Sequence, residues 1–458
     1  MNIVVVGGGP GGYSAAFEAA RLGADVTLIE ADTLGGTCLN RGCIPTKTLL
    51  KSAHLMSDIA RACEFGVVAA AASVDVPALR ERVATVVSTL VGQVEGEAKR
   101  LKVDVVKGFG RLKSPTVVEV DTAEGTLEIA ADAIVLALGS EVIDLPFIDR
   151  SIPGVWTSDE ACAVEDIPTS AIVLGGGVIG IEFAGAWAAM GADVTVVELA
   201  PQIAGGVDKR AARTLASALG AQGVTIHTAT SVEAVREGGD GVIATLSTGE
   251  EITAQVLLSA VGRRPATRDA ALEEAGIEME RGAVVVDAGY RTNLETVWAI
   301  GDAIGGMMLA HVAEDEGVAA ARNVVATLKG EEGSHTVRYD CVPACIYTTP
   351  EIAVVGSTRD SAKERGVDAA AVIVKFAGNG KAIAEGAEEG FVQLVGDKAT
   401  GAIVGATIVG PHAVELIHEV AFAMRADVSA RSLADATFAH PTVSEAVKAA
   451  AAALASQL

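Results

Sequence analysis

Cys38 and Cys43 stand in the stretch Gly35 to Lys47, GGTCLNRGCIPTK, with glycines before them and a proline and a lysine after. An α-helix rises ~1.5 Å per residue, so a C-x4-C spacing separates the two positions by about 7.5 Å along an undistorted axis. A disulfide needs Cα atoms closer than ~7 Å. If the two are bridged, the backbone must therefore be distorted, and Gly42 and Pro45 are residues that bend or restart a helix. A close pair in an enzyme with no secretory features points to redox work or to metal. Metal asks for further Cys or His ligands at short spacing, and only His54 stands nearby, so redox chemistry is the expectation and no metal is expected.

Near the other end of the chain, HPTVSE carries His440 and Glu445. A histidine beside a carboxylate that can orient it serves as a general base for a thiol; packed histidine is the plain alternative. Asp302, in WAIGD, ends a short strand, where its carboxylate can bind a polyol or cap a helix.

Two phosphate-cradling turns must position these groups. Asn2 to Val6 reads as a strand, followed by Gly7-x-Gly9-x-x-Gly12, a helix from Tyr13 to Leu22, and a strand from Asp25 ending at Glu30. The glycines allow a tight turn and close backbone approach, the helix N-terminus meets pyrophosphate, and the acid accepts from ribose hydroxyls. The pattern recurs as a strand Ala171 to Leu174, Gly175-x-Gly177-x-x-Gly180, a helix Ile181 to Met190 and a strand ending at Glu198. In both copies the acid lies 18 residues past the last glycine. Two such sites on one chain imply two dinucleotides that exchange electrons. Glu198 would bond a free 2′-hydroxyl and repel a 2′-phosphate, and no Arg follows it closely, which favours NAD over NADP.

Between these units, Thr48 to Ala62 and residues 77–101 read as helices. Val103 to Lys107, Thr116 to Val120 and Thr126 to Ile129 read as strands of a small antiparallel insert. The return through Gly282 to Val286 and Asp302 makes the first domain discontinuous. After about Ser334, alternating strands with helices Ala413 to Arg425 and Ser444 to Leu454 give an α+β C-terminal domain. The expected fold is α/β: two Rossmann-like domains, residues 1–142 with 265–333 and residues 143–264, plus residues 334–458 as an interface domain.

At 458 residues the chain is long enough for about three domains. A net charge of −24 speaks against nucleic acid and fits solubility or the docking of a basic partner domain. The opening MNIVVVGGG does not read as a signal peptide, and no apolar run reaches the ~18 residues of a membrane span, so a cytoplasmic location is expected. Cys63, Cys162, Cys341 and Cys345 read as packing residues.

Taken together, GGGPGGY, GGTCLNRGCIPTK, GGGVIGIE, VGRRP, WAIGD, MLAHVAEDEG, YTTPEIAVVG, GPHAVELIHE and HPTVSE resemble the pyridine nucleotide–disulfide oxidoreductases along essentially the whole chain, most closely the branch that oxidises dihydrolipoamide. The resemblance implies an FAD domain, an inserted NAD domain and a C-terminal dimerisation domain, hence a homodimer serving cell redox metabolism. Gly7, Gly9, Gly12, Glu30, Lys47, Gly110, Leu138, Gly139, Ser140, Asp302, Met308, Leu309, Ala310 and His311 would contact FAD. Gly175, Gly177, Gly180, Glu182, Glu198, Val232 and Gly262 would line the NAD site. Cys38 would exchange with the substrate, Cys43 would pass electrons to FAD, Lys47 and Glu182 would form a buried ion pair, and His440 of the partner subunit, oriented by Glu445, would take the thiol proton. The lipoyl arm would come from another chain, an acyltransferase or a glycine-cleavage carrier. Two departures stand out. Leu138 replaces a usual Thr and Ala266 a frequent Asn, which implies altered cofactor packing rather than lost activity.

Overall fold

The computed structural model describes residues 1–239 and 241–458. β1 (Asn2–Val6) buries Ile3, Val4, Val5 and Val6, as a central parallel strand covered on both faces must. β2 (Asp25–Glu30) pairs parallel to it, with Val6 opposite Ile29. The connecting α1 (Pro10–Arg21) begins three residues before the expected start. Pro10 occupies its first turn, where a missing N–H costs nothing. Two helices follow almost without a loop, α2 (Gly36–Arg41) and α3 (Cys43–Ala60).

A long helix, Val76–Leu101, capped by the Asp75 side chain, then carries the chain back across the sheet. The strand after it, Asp104–Lys107, runs parallel to β2 at the sheet edge. That corrects the expectation that this segment belongs to the antiparallel insert, because a helical crossover delivers a parallel strand to the same sheet. The insert is instead built from Phe109–Ser114, Val117–Thr122 and Gly125–Ala130. β3 (Ala133–Leu136) returns beside β1 on the side opposite β2. The two glycine-rich turns thus open at the point where strand order reverses, where α/β sheets bind ligands.

The chain leaves through β4 (Ser140–Val142) and repeats the plan with β5 (Ser170–Leu174), α4 (Val178–Ala189) and β6 (Asp193–Val197). α4 is apolar around most of its circumference and buries Phe183 and Trp187. The Trp187 ring stands edge-on to Trp156 at 6.2 Å, and its cluster includes Leu49, Leu50 and Ala53 of α3. The two units therefore share one core. Truncating Trp187 to alanine would cost ~3–5 kcal/mol.

β7 (Arg263–Pro265) brings the chain back antiparallel to β4, so the outgoing and returning crossings form one ribbon. Val297–Ala299 then adds to β3 in the first sheet, and α5 (Ala310–Leu328) packs on α1. β8 (Pro343–Ile346) opens a five-stranded antiparallel sheet continued by Glu351–Gly356, Ile403–Gly410, Phe391–Asp397 and Ala369–Lys375. Its first two strands are not among those read from the sequence. The helix Ala413–Arg425 and α6 (Glu445–Ala455) cover this sheet, with Ile417 and Val447 fully buried against it. Among the described residues no helix is long and apolar enough to cross a membrane.

Candidate active site

The distortion demanded by the C-x4-C spacing falls at one residue. α2 stops at Gly42, whose backbone (φ −139°, ψ −113°) is not helical, and α3 restarts at Cys43. A side chain on Gly42 would meet the Thr37 carbonyl oxygen at 2.8 Å. Of the two roles expected for Pro45, it does not bend the chain but sits where the helix restarts. It lies in the first turn of α3, where proline is tolerated. The break brings the two sulfurs close enough for each to set the other's titration. A hydrogen bond shared with Cys43 pushes the Cys38 thiol up, helped by burial. The same bond, with Lys47 one helical turn away, brings Cys43 down to about 7. Cys43 also opens an 18-residue helix, whose positive end favours a thiolate.

Sequence reading places the start of α3 at Thr48. The structure starts it five residues earlier, which puts Cys43 and Lys47 on successive turns of one helix. Lys47 Nζ lies 2.7 Å from Glu182 of α4, whose side chain is 2 % exposed. The second Glu182 oxygen accepts from the Tyr347 backbone N–H at 2.9 Å. Tyr347 also lays its ring 4.5 Å from the lysine nitrogen. One carboxylate therefore ties α3, the second nucleotide unit and the C-terminal domain beside the cysteines. Tyr347 was missed in sequence, though it lies in the quoted YTTPE.

His440 and Glu445 do meet. The imidazole Nδ1 is 3.0 Å from one carboxylate oxygen, and the Thr442 N–H donates to the other at 3.0 Å. These bonds hold Glu445 below the usual carboxylate range. The His440 side chain is 78 % exposed. α6 packs on the short helix Ala430–Asp435 and on strands of its own domain. Within one chain the pair faces outward.

The two glycine turns are built alike. A Cβ on Gly7 would overlap the Ala137 carbonyl, and one on Gly12 would overlap the Gly7 carbonyl. A Cβ on Gly175 would lie 2.5 Å from the Ala260 oxygen, and one on Gly180 would overlap the Gly175 carbonyl. Glu30 accepts from the Gly8 and Asp32 N–H groups, both at 2.7 Å. Glu198 accepts from Gly176 and Ala200, both at 2.6 Å. Each acid thus clamps its own turn and keeps lone pairs able to accept from a ribose hydroxyl. Gly9 and Gly177 open their helices with no side-chain cap, leaving N–H donors for a pyrophosphate. The residues present fit two dinucleotides.

Ser140 hydrogen-bonds Asp302, and Arg263 of the VGRRP turn donates to the Ser140 hydroxyl at 2.8 Å and to its carbonyl at 2.6 Å. Arg263, unassigned in sequence, locks the ribbon between the units onto the Asp302 carboxylate. Met308 and Leu309 precede the N-terminus of α5, Ala310 begins it, and His311 bonds the Pro343 carbonyl at 2.8 Å. Leu138 joins the apolar cluster of the first sheet, so the side chain that replaces the expected hydroxyl is absorbed by packing. Gly110 makes room for Val6, and Gly139 immediately precedes Ser140 at the start of β4. Val232 is buried in the second unit, and Gly262 lies at its exit beside β7. Cys162, Cys341 and Cys345 pack as expected. Cys63 does not: it is exposed in a short turn after α3, because the helix ends at Ala60 rather than burying it. Among the described residues no cluster of three or more His, Cys, Asp or Glu could hold a metal.

Comparison with known proteins matches residues 1–317 to the pyridine nucleotide-disulphide oxidoreductase model and residues 342–451 to the dimerisation domain of the same name. The chain is 41 % identical to a leghemoglobin reductase of Glycine max, covering 98 % of this chain and 87 % of that protein. It is 40 % identical to the mitochondrial dihydrolipoyl dehydrogenase of Pisum sativum (98 % and 90 % covered) and 39 % identical to the dihydrolipoyl dehydrogenase of Haloferax volcanii (98 % and 95 %). Among solved structures it resembles LpdA of Mycobacterium tuberculosis with a TM-score of 0.91 at 29 % identity over 99 % of both chains.

Proposed function

From its membership of the pyridine nucleotide-disulphide oxidoreductase family, to which the chain belongs over most of its length, we propose that this protein is a flavin-dependent, NAD-linked dihydrolipoyl dehydrogenase. FAD and NAD are its cofactors. The observation that carries the reading is the Gly42 break, which faces Cys43 at a helix start toward Lys47 and keeps Cys38 beside it. The dimerisation domain supports a homodimer.

The substrate is the dihydrolipoyl group of a lipoyl-bearing partner, an acyltransferase or a glycine-cleavage carrier, and the location is cytoplasmic. The division into residues 1–142 with 265–333, 143–264 and 334–458 is supported by three separate principal sheets. Gly7, Gly9, Gly12, Glu30, Ser140 and Asp302 hold FAD. Gly175, Gly177, Gly180 and Glu198 hold NAD. When bound, FAD supplies a two-electron acceptor between Cys43 and the nicotinamide.

His440 of the partner subunit, held by Glu445, takes one proton from the substrate dithiol. The resulting thiolate sulfur attacks Cys38 in the Cys38–Cys43 disulfide, breaking the S–S bond and leaving a mixed disulfide. The second substrate sulfur displaces Cys38, closing the lipoamide disulfide and transferring its proton to Cys38. The substrate has then lost two electrons and two protons. One proton rests on His440, the other on Cys38, and Cys43 carries the negative charge opposite Lys47.

Reduction of NAD and of NADP by dihydrolipoamide, in the wild type and in Cys43→Ser, tests the reading. Rapid NAD reduction, lost in the variant and weak with NADP, is expected. An FAD-loaded wild type without turnover would overturn it.

A further inference from the structure

The mechanism above leaves open why the proton remains on Cys38 rather than on Cys43, and a cluster outside the assigned residues answers it. α5 crosses α1 at Gly11 and Gly317, where a Cβ on Gly11 would already sit 3.1 Å from the Ala313 carbonyl oxygen. This crossing brings the Tyr13 hydroxyl of α1 to 2.7 Å from Glu314 Oε1 of α5. The start of α1 in turn touches the start of α2: a Cβ on Gly36 would be 2.7 Å from Gly9 Cα. Cys38 is two residues beyond Gly36 and Tyr13 is one turn beyond Gly9, so these contacts bring the Tyr13–Glu314 pair toward α2, the helix that bears Cys38.

We propose that Glu314, held by the Tyr13 hydroxyl, is a positioning residue that keeps the proton on Cys38 when the pair is reduced, leaving the negative charge on Cys43. The inference rests on the dithiol relay proposed above. The charged groups around the pair divide: Lys47 acts on both sulfurs and Glu182 opposes charge at Cys43, whereas Glu314 acts on Cys38. Lys47 lies on the Cys43 side, in the same helix, and draws a thiolate there. The carboxylate of Glu314 opposes a second negative charge at Cys38. Burial and Glu314 push Tyr13 up, so it stays a neutral donor. Arg41, on the same short helix as Cys38, is paired with Asp32 at 2.9 Å and Asp159 at 3.6 Å. His311, earlier on α5, is turned to the Pro343 carbonyl. A protonated Cys38 is a poor nucleophile toward the newly closed lipoamide disulfide, so the device suppresses the reverse attack.

The test is the pH profile of Cys38 alkylation by iodoacetamide in FAD-loaded Cys43→Ser protein, where the thiolate sulfur displaces iodide and the rate follows the thiolate fraction. Adding Glu314→Gln is expected to raise the rate at neutral pH about 3- to 10-fold, equivalent to ~0.5–1 pKa unit. Glu314→Asp should restore most of the parent profile, and Tyr13→Phe should fall between. A Glu314→Gln profile that superimposes on the parent overturns the proposal, as does an equal shift with Asp, which would mark a packing role. If the Gln variant does not fold, Tyr13→Phe decides by the same shift or its absence. No lipoyl substrate enters the assay. A shift here, together with an FAD-loaded wild type that fails to oxidise dihydrolipoamide, would leave the proton assignment standing and remove the substrate reading.

Discussion

Replacing Lys47 with methionine should move the Cys43 thiol upward and uncover a buried carboxylate, two effects with separate readouts. Lys47 follows Cys43 by four residues in one helix, a spacing that brings side chains to ~6 Å. At an effective dielectric of ~20 a unit charge at that distance is worth ~2.8 kcal/mol, or ~2 pKa units. The lysine keeps 31 % of its side-chain exposure, and solvent screening of such an end brings the expected shift to ~1 unit. Cys43, now at about 7 against an ordinary 9.0, should therefore titrate nearer ~8 in the variant. The sign in stability follows. A thiol lowered by folding stabilises the reduced protein fully above its unfolded value, and the gain is lost as pH falls through about 7. Reduced Lys47→Met should lose this increment at alkaline pH and differ least at acid pH. At all pH values above the carboxylate range it also leaves Glu182 buried with only the Tyr347 N–H as partner, a cost of about 3–5 kcal/mol. Thiolate ultraviolet absorbance of the reduced protein and urea unfolding at two pH values measure the two effects. An unchanged Cys43 titration would refute the electrostatic role of Lys47. Stability fully retained in Lys47→Met, with Glu182 unchanged, would refute the pairing cost.

The two glycine turns should fail separately. Gly180→Ala is expected to keep bound FAD, measured by flavin absorbance, while raising the KM for NAD at least ~10-fold, whereas Gly12→Ala should lose the flavin. His440→Gln should lower kcat with dihydrolipoamide by about 10²–10⁴-fold, the usual worth of a general base, while NAD binding stays within error. If the base acts across the dimer, mixing His440→Gln with Cys38→Ser protomers should restore part of the lost turnover. Failure of mixed dimers to recover activity would place the base in the same chain.

The Leu138 position shows how a departure in a motif is to be read. Its missing hydroxyl suggests weaker cofactor contact, yet the side chain fills an apolar cluster next to β1, so its substitution by threonine addresses packing as much as binding.

Much of the site was legible because its geometry is local. The glycine turns, the acid at the end of each second strand and the cysteine pair lie within short stretches, where steric contacts along the chain dictate the backbone. The carboxylate clamps on Gly8 and Gly176 follow from that same local plan. What the sequence left undecided depends on partners distant along the chain. Asp104–Lys107 has the same composition whether it joins an insert or a parallel sheet, and only the path of the preceding helix assigns it. Cys63 and Cys162 are chemically alike, and only the end of α3 exposes one while α4's core buries the other. Lys47 meets Glu182 and Tyr347, Ser140 meets Arg263, and Tyr13 meets Glu314 across separations no periodicity can report. The sequence by itself determined which groups can carry electrons and protons. The tertiary structure decided which charge stands beside each sulfur, because electrostatic energy depends on distance in space and not on distance along the chain.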